Sequence, residues 1–247
     1  MSEKFGLISE FPISNGLKLN EEKKHLPLLT RSQRRRITSP EITLVTPNST
    51  VHSTAAENLL GCTIHQNIKW SEYILHGKGS LVKNLGTRLN ALSIICKVAS
   101  FKTRKLVAEG IFMSKLIYMI QVWGGCNQDL INVLQTLQNK AARAITKLPW
   151  MTPTSVLLLQ CGWLSIKQLV FYHSVVLIHK VLMSGFPKYL FNMFDHNHSR
   201  THKTRLSQMK FVRLKNSIVP KTEHARMSFK WHASISIFIP LSASFRL

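Results

Sequence analysis

The sequence predicts a mainly α-helical, basic protein with a small β-rich segment near its N-terminus. A helical spacing of apolar residues runs from about Ser71 onward, whereas the first sixty residues show short alternating stretches between turn residues. Hydrophobic residues make up 45% of the 247 residues, which excludes a disordered chain and is enough for a sizeable core. We expect a β-rich segment at 1–70, a helical domain at 71–195 and a basic tail at 196–247.

Short strands are predicted in the β-rich segment. Asn15-Gly16 is a turn dipeptide, and the alternating Leu17-Lys18-Leu19 that follows suits the edge of a sheet. The other strand candidates, which are short apolar stretches bounded by proline or turn residues, are 26–29, 42–45 and 58–64.

Five helices are predicted downstream, near 71–98, 103–123, 128–147, 153–160 and 166–184. The third has the most regular pattern, because its apolar residues share one stripe, with Asn127 as the N-cap and Pro149 beyond its end. The stripe consists of Leu130, Leu134, Leu137, Ala141 and Ile145. The fifth helix is apolar nearly all round, so we expect it to be central and buried and to end at Gly185.

Positive charge is the dominant compositional feature. The chain has 33 Lys and Arg against 11 Asp and Glu, a net charge of +22. In the third helix Lys140, Arg143 and Lys147 fall on a different side from the apolar stripe. The tail mixes aromatic residues with its cations, and this combination is typical of phosphate contact and base stacking, so we expect RNA, DNA or an RNA–DNA hybrid as the partner. The predicted tail contacts are Arg200, Lys203, Arg205, Lys210, Arg213 and Lys215.

Two other uses of the positive charge compete with nucleic-acid binding. A short charge run usually means a solvated face without a partner. A membrane surface needs an amphipathic helix with one basic face and one bulky apolar face, and only the third predicted helix comes near this pattern. Its apolar stripe is better suited to the core of the protein, so we expect no membrane partner.

A catalytic function is not expected. Asp129 and Asp195 are the only aspartates, whereas two-metal phosphoryl transfer needs clustered carboxylates. No motif of a hydrolase, a metalloprotease or a nucleotide-binding loop occurs, and Gly77 and Gly79 alone are weak evidence for a phosphate loop. We therefore expect no catalytic residue, no cofactor and no small-molecule substrate.

Histidine and cysteine residues do not predict a metal site. His196, His198 and His202 could hold a transition metal in principle, but the cations around them favour a polar basic linker. The four cysteines lie about thirty residues apart without a C-x-x-C pair, which predicts reduced, buried thiols.

We expect an intracellular protein of the nucleus or cytoplasm, because the N-terminus lacks the apolar run of a signal peptide. The longest apolar stretch, Leu169–Ile178, is shorter than the ~20 residues of a membrane span.

Several short segments occur in a distinctive order between residues 15 and 233. The first are Asn15–Asn20 followed by Lys23 (N-G-L-K-L-N-x-x-K), Glu57–Gly61 with Trp70, and Leu116–Gly124, which ends in Trp-Gly. The later ones are Leu137–Arg143 (L-Q-N-K-A-A-R), Trp163–Ile166, Gly185–Leu190 and Ala225–Ala233. In this order they resemble the region that follows the catalytic palm in reverse transcriptases of LINE-like, non-LTR retrotransposons.

The resemblance implies a non-catalytic portion of an RNA-directed DNA polymerase. The family's polymerase aspartates lie upstream of the N-G-L-x-L-N segment, so this chain lacks them, and Lys23 matches a late-palm lysine without its catalytic partners. The implied architecture is a helical, thumb/connector-like bundle that grips the template–primer duplex, preceded by a β-rich remnant of the palm.

The match to the family is incomplete. Lys24 stands where the family has threonine, Gln66-Asn67 where an aspartate is common, and Ile235–Pro240 in place of the family's terminal segment. A truncated or decayed copy is therefore also expected from the resemblance. In that alternative the chain is an inert or protein-interaction remnant with no retained activity.

Overall fold

The computed structural model describes residues 14–16, 26–27, 43–46, 49–77, 79–196 and 212–214. Most of them lie in helices, so the predicted mainly α-helical class is confirmed. The chain divides after Ser80 into two compact units. The predicted domain boundaries at 70 and 195 stay predictions.

The first unit contains the strands of the N-terminal segment. Strands β1 (Leu26–Pro27), β2 (Thr43–Thr46) and β3 (Ser49–Thr54) form a sheet in which β3 pairs parallel with β1 and antiparallel with β2. The predicted strands at 26–29 and 42–45 therefore correspond to β1 and β2. Strand β3 was not expected, because its serines and threonines lack an apolar alternation. The candidate at 17–19 lies outside the described residues.

The single strand predicted at 58–64 is wrong, because the chain turns back within it. Strands β4 (Ala56–Leu59) and β5 (Cys62–His65) form an antiparallel hairpin with Leu59 opposite Cys62. Leu60 and Gly61 both have positive φ, 51° and 77°, as a type I′ turn requires. The turn was missed because leucine is an unusual residue at a left-handed position.

The predicted helix at 71–98 is wrong as one element. The chain forms a π-helix at Glu72–His76, which contacts β5, and the first α-helix starts only at Leu81. Gly77 has ψ of 156° and Gly79 has φ of 76°, and neither value continues a helix. A Cβ on Gly77 would lie 2.8 Å from the carbonyl oxygen of Glu72, so this break favours glycine.

Helices make up most of the second unit. They are α1 (Leu81–Val98), α2 (Phe101–Ala108), α3 (Ser114–Ile117), α4 (Ile120–Trp123), α5 (Gln128–Thr146), α6 (Thr154–Cys161), α7 (Ile166–Ser184) and α8 (Lys188–Phe191). A second π-helix at Glu109–Met113 joins α2 to α3, and Arg88 donates to the carbonyl of Ile111 within it at 2.6 Å. The predicted helix at 103–123 is thus interrupted, since Met119 between α3 and α4 has a left-handed φ of 53°.

Helix α5 lies at the centre of the second unit. It contacts α1, α2, α6 and α7. Its buried face differs from the predicted stripe. Leu130 and Leu137 of the stripe are only partly buried, whereas three residues outside the stripe are buried. The buried residues are Ile131, Leu134, Gln138, Ala141, Ala142 and Ile145.

Helix α7 is not buried all round, and this prediction was wrong. Tyr172 is 47% exposed and Met183 is 72% exposed. The first half of α7 packs on α4 and α5, whereas its second half forms a separate cluster with α8 and Phe194. The predicted end at Gly185 is confirmed, with φ of 70° and a hydrogen bond from its N–H to Val181.

A two-stranded sheet follows α8. Strand β6 (Phe194–His196), at the end of the predicted helical domain, pairs antiparallel with β7 (Val212–Leu214) in the predicted basic tail. All four cysteines are buried free thiols, as predicted.

In the part of the chain that the structure describes, α7 alone is long and apolar enough to span a membrane by length and composition, a test that core helices of water-soluble proteins also pass.

Candidate nucleic-acid interface

Helix α5 carries the three cations that the sequence predicts as phosphate contacts. Its buried face is held by the packing against α1, α2, α6 and α7. Lys140 and Lys147 are exposed and Arg143 is partly buried, so all three lie off the fully buried face. The structure therefore places Lys140 and Arg143 in the C-terminal half of one well-packed helix and Lys147 directly after its last residue, Thr146.

Lys147 ends helix α5 in a left-handed conformation with φ of 57°. Its backbone N–H donates to the carbonyl of Arg143 at 2.8 Å, which closes the last turn. Cations at a helix C-terminus also offset the negative end of the helix dipole. Arg143 and Lys147 thus have a structural role in addition to any role in binding, whereas Lys140 lies a turn further from the helix end.

Arg104 on α2 is a fourth cation of this region and was not predicted from the sequence. Only 8% of its surface is exposed, and its Nε is buried without a hydrogen-bond partner. Burial raises the pKa of the Cys96 thiol on α1, while nearby Arg104 and Lys147 oppose that rise. The positive charges of Arg104 on α2 and of Lys147 at the end of α5 both act on this thiol of α1. Arg104 shares a helix face with Ala108, and the structure shows both residues to be buried.

Acidic partners for these cations are absent from the described part of the second unit. Residues 81–196 contain 13 Lys and Arg against three acidic residues. Among the described residues of that range, one ion pair involves a Lys or Arg, between Lys105 Nζ and Glu109 Oε1 at 3.9 Å. Asp129 accepts a hydrogen bond from Asn127 at the start of α5 instead. The cations of α5 thus contribute an unneutralised positive potential, which attracts polyanions.

Trp150 is an exposed aromatic residue three positions after Lys147. It lies in the turn between α5 and α6, and 79% of its surface is accessible. The neighbouring Met151 is 76% exposed. An exposed indole beside cations can stack on an unpaired base while the cations contact the backbone. Its sequence signal, an aromatic residue in a loop directly after a basic helix end, was overlooked.

A buried polar network fixes α5 against the chain that follows α6. Gln138 is fully buried, and its Nε2 donates to the carbonyl of Leu164 at 2.9 Å. Gln135 donates to the Oε1 of Gln138 at 2.8 Å and accepts from the N–H of Ile166 at 3.0 Å. Asn139 extends the network by donating to Thr154 at 3.3 Å. These bonds set the position of the helix that carries the cations.

Most of the predicted tail contacts lie outside the described residues; they are Arg200, Lys203, Arg205, Lys210 and Lys215. Lys23, His198 and His202, for which no site was predicted, lie outside them as well. The backbone of Arg213 lies in β7 opposite Asp195. The described residues contain no group of three His, Cys, Asp or Glu that could hold a metal ion.

An open cleft of about 490 Å³ lies elsewhere on the second unit. Its lining includes Trp163, Tyr118, Tyr172 and His173, together with Glu109. Glu109 already accepts a hydrogen bond from Trp163 Nε1 at 3.4 Å. Because the lining is mainly apolar and its carboxylate is negative, the chemistry of this cleft does not match a polyanion.

Comparison with known proteins gives no match from which a family follows. No protein-family model, no curated protein and no solved structure matches the chain.

Proposed function

We propose that this protein binds nucleic acid as the non-catalytic, duplex-gripping part of a LINE-like reverse transcriptase. In this proposal the helical unit corresponds to the thumb and connector, and residues 1–70 correspond to the end of the palm. Lys140, Arg143 and Lys147 contact phosphates, and the tail cations are auxiliary contacts. The segments of the sequence that resemble the family support this assignment.

The unneutralised charge of α5 is the observation that carries the proposal. Residues 81–196 hold 13 Lys and Arg against three acidic residues, so their positive charges repel one another. A bound polyanion offsets this repulsion. The cations of α5 are not used in ion pairs with the described acidic residues. Trp150, beside the end of α5, adds a surface for base stacking.

Scarce carboxylates support a non-catalytic role. The chain has two aspartates, Asp129 and Asp195, and Asp129 is engaged at the start of α5. Nucleotide addition needs carboxylates that hold two metal ions close together. We expect the purified chain to bind a primer–template without extending it, which is measured by incorporation of labelled nucleotides.

A charge-matched pair of variants tests the interface. One variant combines Lys140→Gln, Arg143→Gln and Lys147→Asn, where asparagine tolerates the left-handed conformation of Lys147. The control combines Lys167→Gln, Lys180→Gln and Lys188→Gln, which removes three exposed cations from α7 and α8.

Binding to an RNA–DNA hybrid is measured across a salt series for both variants and the parent chain. We expect the interface variant to lose roughly 1–3 kcal/mol of binding free energy and to lower the slope of log K against log salt by about 2–3. The control is expected to change both values much less. Equal losses in the two variants would show that only the total charge matters. A parent chain that ignores nucleic acid at low salt would favour the inert or protein-interaction remnant.

A further inference from the structure

We propose that the open cleft of the second unit binds a guanine base, which stacks on the aromatic rings of the cleft and donates hydrogen bonds to Glu109. The base can belong to a free guanine nucleotide or to an unpaired position of a nucleic-acid strand. A free nucleotide goes beyond the proposed function, whereas a base within a strand deepens that function and rests on it.

Aromatic rings dominate the lining of the cleft. Tyr118 and Tyr172 are both exposed, so their rings are accessible to a ligand, and Trp163 is a third, nearly buried ring. His173 stands edge-on to Tyr172 with the ring centroids 5.2 Å apart, and burial lowers the pKa of His173, so its ring is neutral at pH 7. An unpaired base stacks on such rings through its π-face. The volume of about 490 Å³ lies within the ~300–1,000 Å³ of small-molecule sites.

Glu109 supplies a carboxylate to this aromatic lining. Among the described residues, its two side-chain partners both contact Oε1, namely Trp163 Nε1 at 3.4 Å and Lys105 Nζ at 3.9 Å. A carboxylate accepts hydrogen bonds at about four lone-pair positions. Because Glu109 is also exposed, its carboxylate has capacity for two further donors from a ligand in the cleft.

Guanine is the base whose edge matches a carboxylate. Its ring N1–H and its exocyclic amino group are adjacent donors, and each carboxylate oxygen accepts one of them. Adenine and cytosine place a ring-nitrogen acceptor beside their amino group, and uracil flanks its N–H with two carbonyl oxygens. In these three bases an acceptor faces the carboxylate and repels it, so the cleft is expected to discriminate against them.

Two other kinds of occupant fit the cleft less well. An organic cation suits aromatic rings and a carboxylate, but two ammonium groups already occupy such positions. Lys105 Nζ lies beside Glu109, and Lys115 Nζ lies 5.3 Å from the centroid of the Tyr118 ring. An apolar side chain of another protein would desolvate the carboxylate without donating to it, which is unfavourable. The ammonium groups instead suit the phosphate of a nucleotide whose base occupies the cleft.

The backbone that lines the cleft is irregular at two points. Glu109 begins the π-helix Glu109–Met113, and Met119, directly after Tyr118, has a left-handed φ of 53°. Short π-helices and left-handed residues other than glycine are frequent at functional sites. Both irregular points lie at residues that the proposal assigns to ligand contact, so they support a binding role for the cleft.

Equilibrium dialysis of the full chain with GMP, AMP, CMP and UMP tests the selectivity. We expect the parent chain to bind GMP about ten- to a hundredfold more tightly than the other three nucleotides, as a bidentate contact to one base does. Glu109→Gln is expected to lose this preference and to bind AMP at least as tightly as GMP, because a carboxamide offers one acceptor and one donor. Asp129→Asn removes the same charge from the start of α5, which does not line the cleft, and is expected to keep the preference for GMP.

A second variant covers the case in which Glu109→Gln does not fold. Tyr172→Ala removes an exposed stacking ring and is expected to weaken GMP binding about tenfold or more. Tyr189→Ala removes an exposed tyrosine of α8 that does not line the cleft and is expected to leave GMP binding unchanged. The proposal is overturned if GMP does not bind, if the four nucleotides bind equally, or if Glu109→Gln keeps the preference of the parent chain. Equal losses in the two tyrosine variants overturn it too.

Two single strands of the same pyrimidine sequence, with guanine or adenine at the centre, distinguish the sources of the base. A preference for the guanine strand that Glu109→Gln abolishes indicates a base within nucleic acid, whereas selective GMP binding with equal binding of the two strands indicates a free nucleotide. Selective GMP binding without binding of any strand or hybrid upholds this site and contradicts the proposed function. Hybrid binding that depends on the α5 cations, without selective GMP binding, contradicts this site alone.

Discussion

Gly124, directly after the buried Trp123, has no room for a side chain. A Cβ built at this position would lie 2.7 Å and 2.9 Å from the two γ-methyl carbons of Val170, and closer still to the carbonyl oxygen of Ile120. The Trp123 indole is fully buried and donates to the carbonyl of Tyr118 at 2.9 Å, so the chain cannot shift easily. The Trp-Gly pair that marks the resemblance thus has a packing reason, the close approach of α4 and α7.

Gly124→Ala is expected to destabilise the protein by about 1–3 kcal/mol, because overpacking forces the two helices apart. Gly86→Ala is the matched control, since Gly86 lies inside α1 and a Cβ there meets nothing within 4 Å. The control is expected to stabilise by about 0.5–1 kcal/mol through the higher helix propensity of alanine. Urea unfolding of both variants measures the two free energies. A Gly124→Ala variant as stable as its control would contradict the packing argument.

At the scale of the element, α5 depends on a polar residue within its buried face. Gln138→Leu keeps the volume but leaves the carbonyl of Leu164 without its donor and removes one of the two acceptors of the Gln135 amide, which also donates to Asn139 Oδ1. We expect a loss of about 2–3 kcal/mol in the free energy of unfolding, because buried polar groups lose their hydrogen bonds. Gln160→Leu on the exposed side of α6 is expected to stay within about 0.5 kcal/mol of the parent chain. Equal stability of the two variants would show that the network adds nothing.

The helices with regular patterns were predictable and the elements that depend on glycine or on polar residues were not. Helix α5 was expected at 128–147 and is observed at Gln128–Thr146, because its apolar spacing and its flanking residues agree. The hairpin at β4 and β5 was missed, since its turn places a leucine where a sequence pattern predicts Asn or Gly. Gln138 in the core was missed for a different reason, because the acceptor of its amide, the carbonyl of Leu164, is brought near only by the tertiary structure.

The candidate site was predictable in part. Lys140, Arg143 and Lys147 were named from helical spacing, which applies to Lys140 and Arg143, whereas Lys147 lies directly after the last helical residue in a left-handed conformation. Arg104 could not be linked to them, because α2 and α5 meet through long-range packing. The tail cations were named from composition alone, and composition assigns no geometry to them.

At the scale of the whole molecule, two opposing effects decide how stability depends on alkaline pH. Burial raises the pKa of Cys126 to about 12 and that of Cys161 to about 11, both above the usual value of 9.0. The unfolded chain therefore binds fewer thiol protons than the folded chain above pH 9, and stability falls as the pH rises towards these values. The net charge of +22 acts in the opposite direction, because lysines lose protons in the same range and self-repulsion declines.

At acid pH the titration of His173 and the net positive charge act on stability in the same direction. Burial lowers the pKa of His173 below its usual value of 6.5, so the unfolded chain binds more protons and stability falls as the pH drops below about 6.5. Protonation of the 11 histidines adds positive charge to a chain that is already strongly positive, which destabilises the compact state further. Stability is therefore expected to rise as the pH increases through the range in which the histidines lose their protons.

Cys126→Ala separates the thiol contribution from the total charge. We expect the variant to be less stable at pH 7, where the buried side chain contributes to packing, but to lose less stability than the parent chain between pH 9 and 11. The difference between the two curves is expected to close at up to about 1.4 kcal/mol per pH unit, the slope for one thiol proton, while lysine deprotonation affects both chains equally and cancels. Urea unfolding at each pH under reducing conditions gives both curves. Parallel curves would show that the Cys126 thiol ionises at the same pH in the folded and unfolded chains, and the alkaline behaviour would then follow the net charge alone.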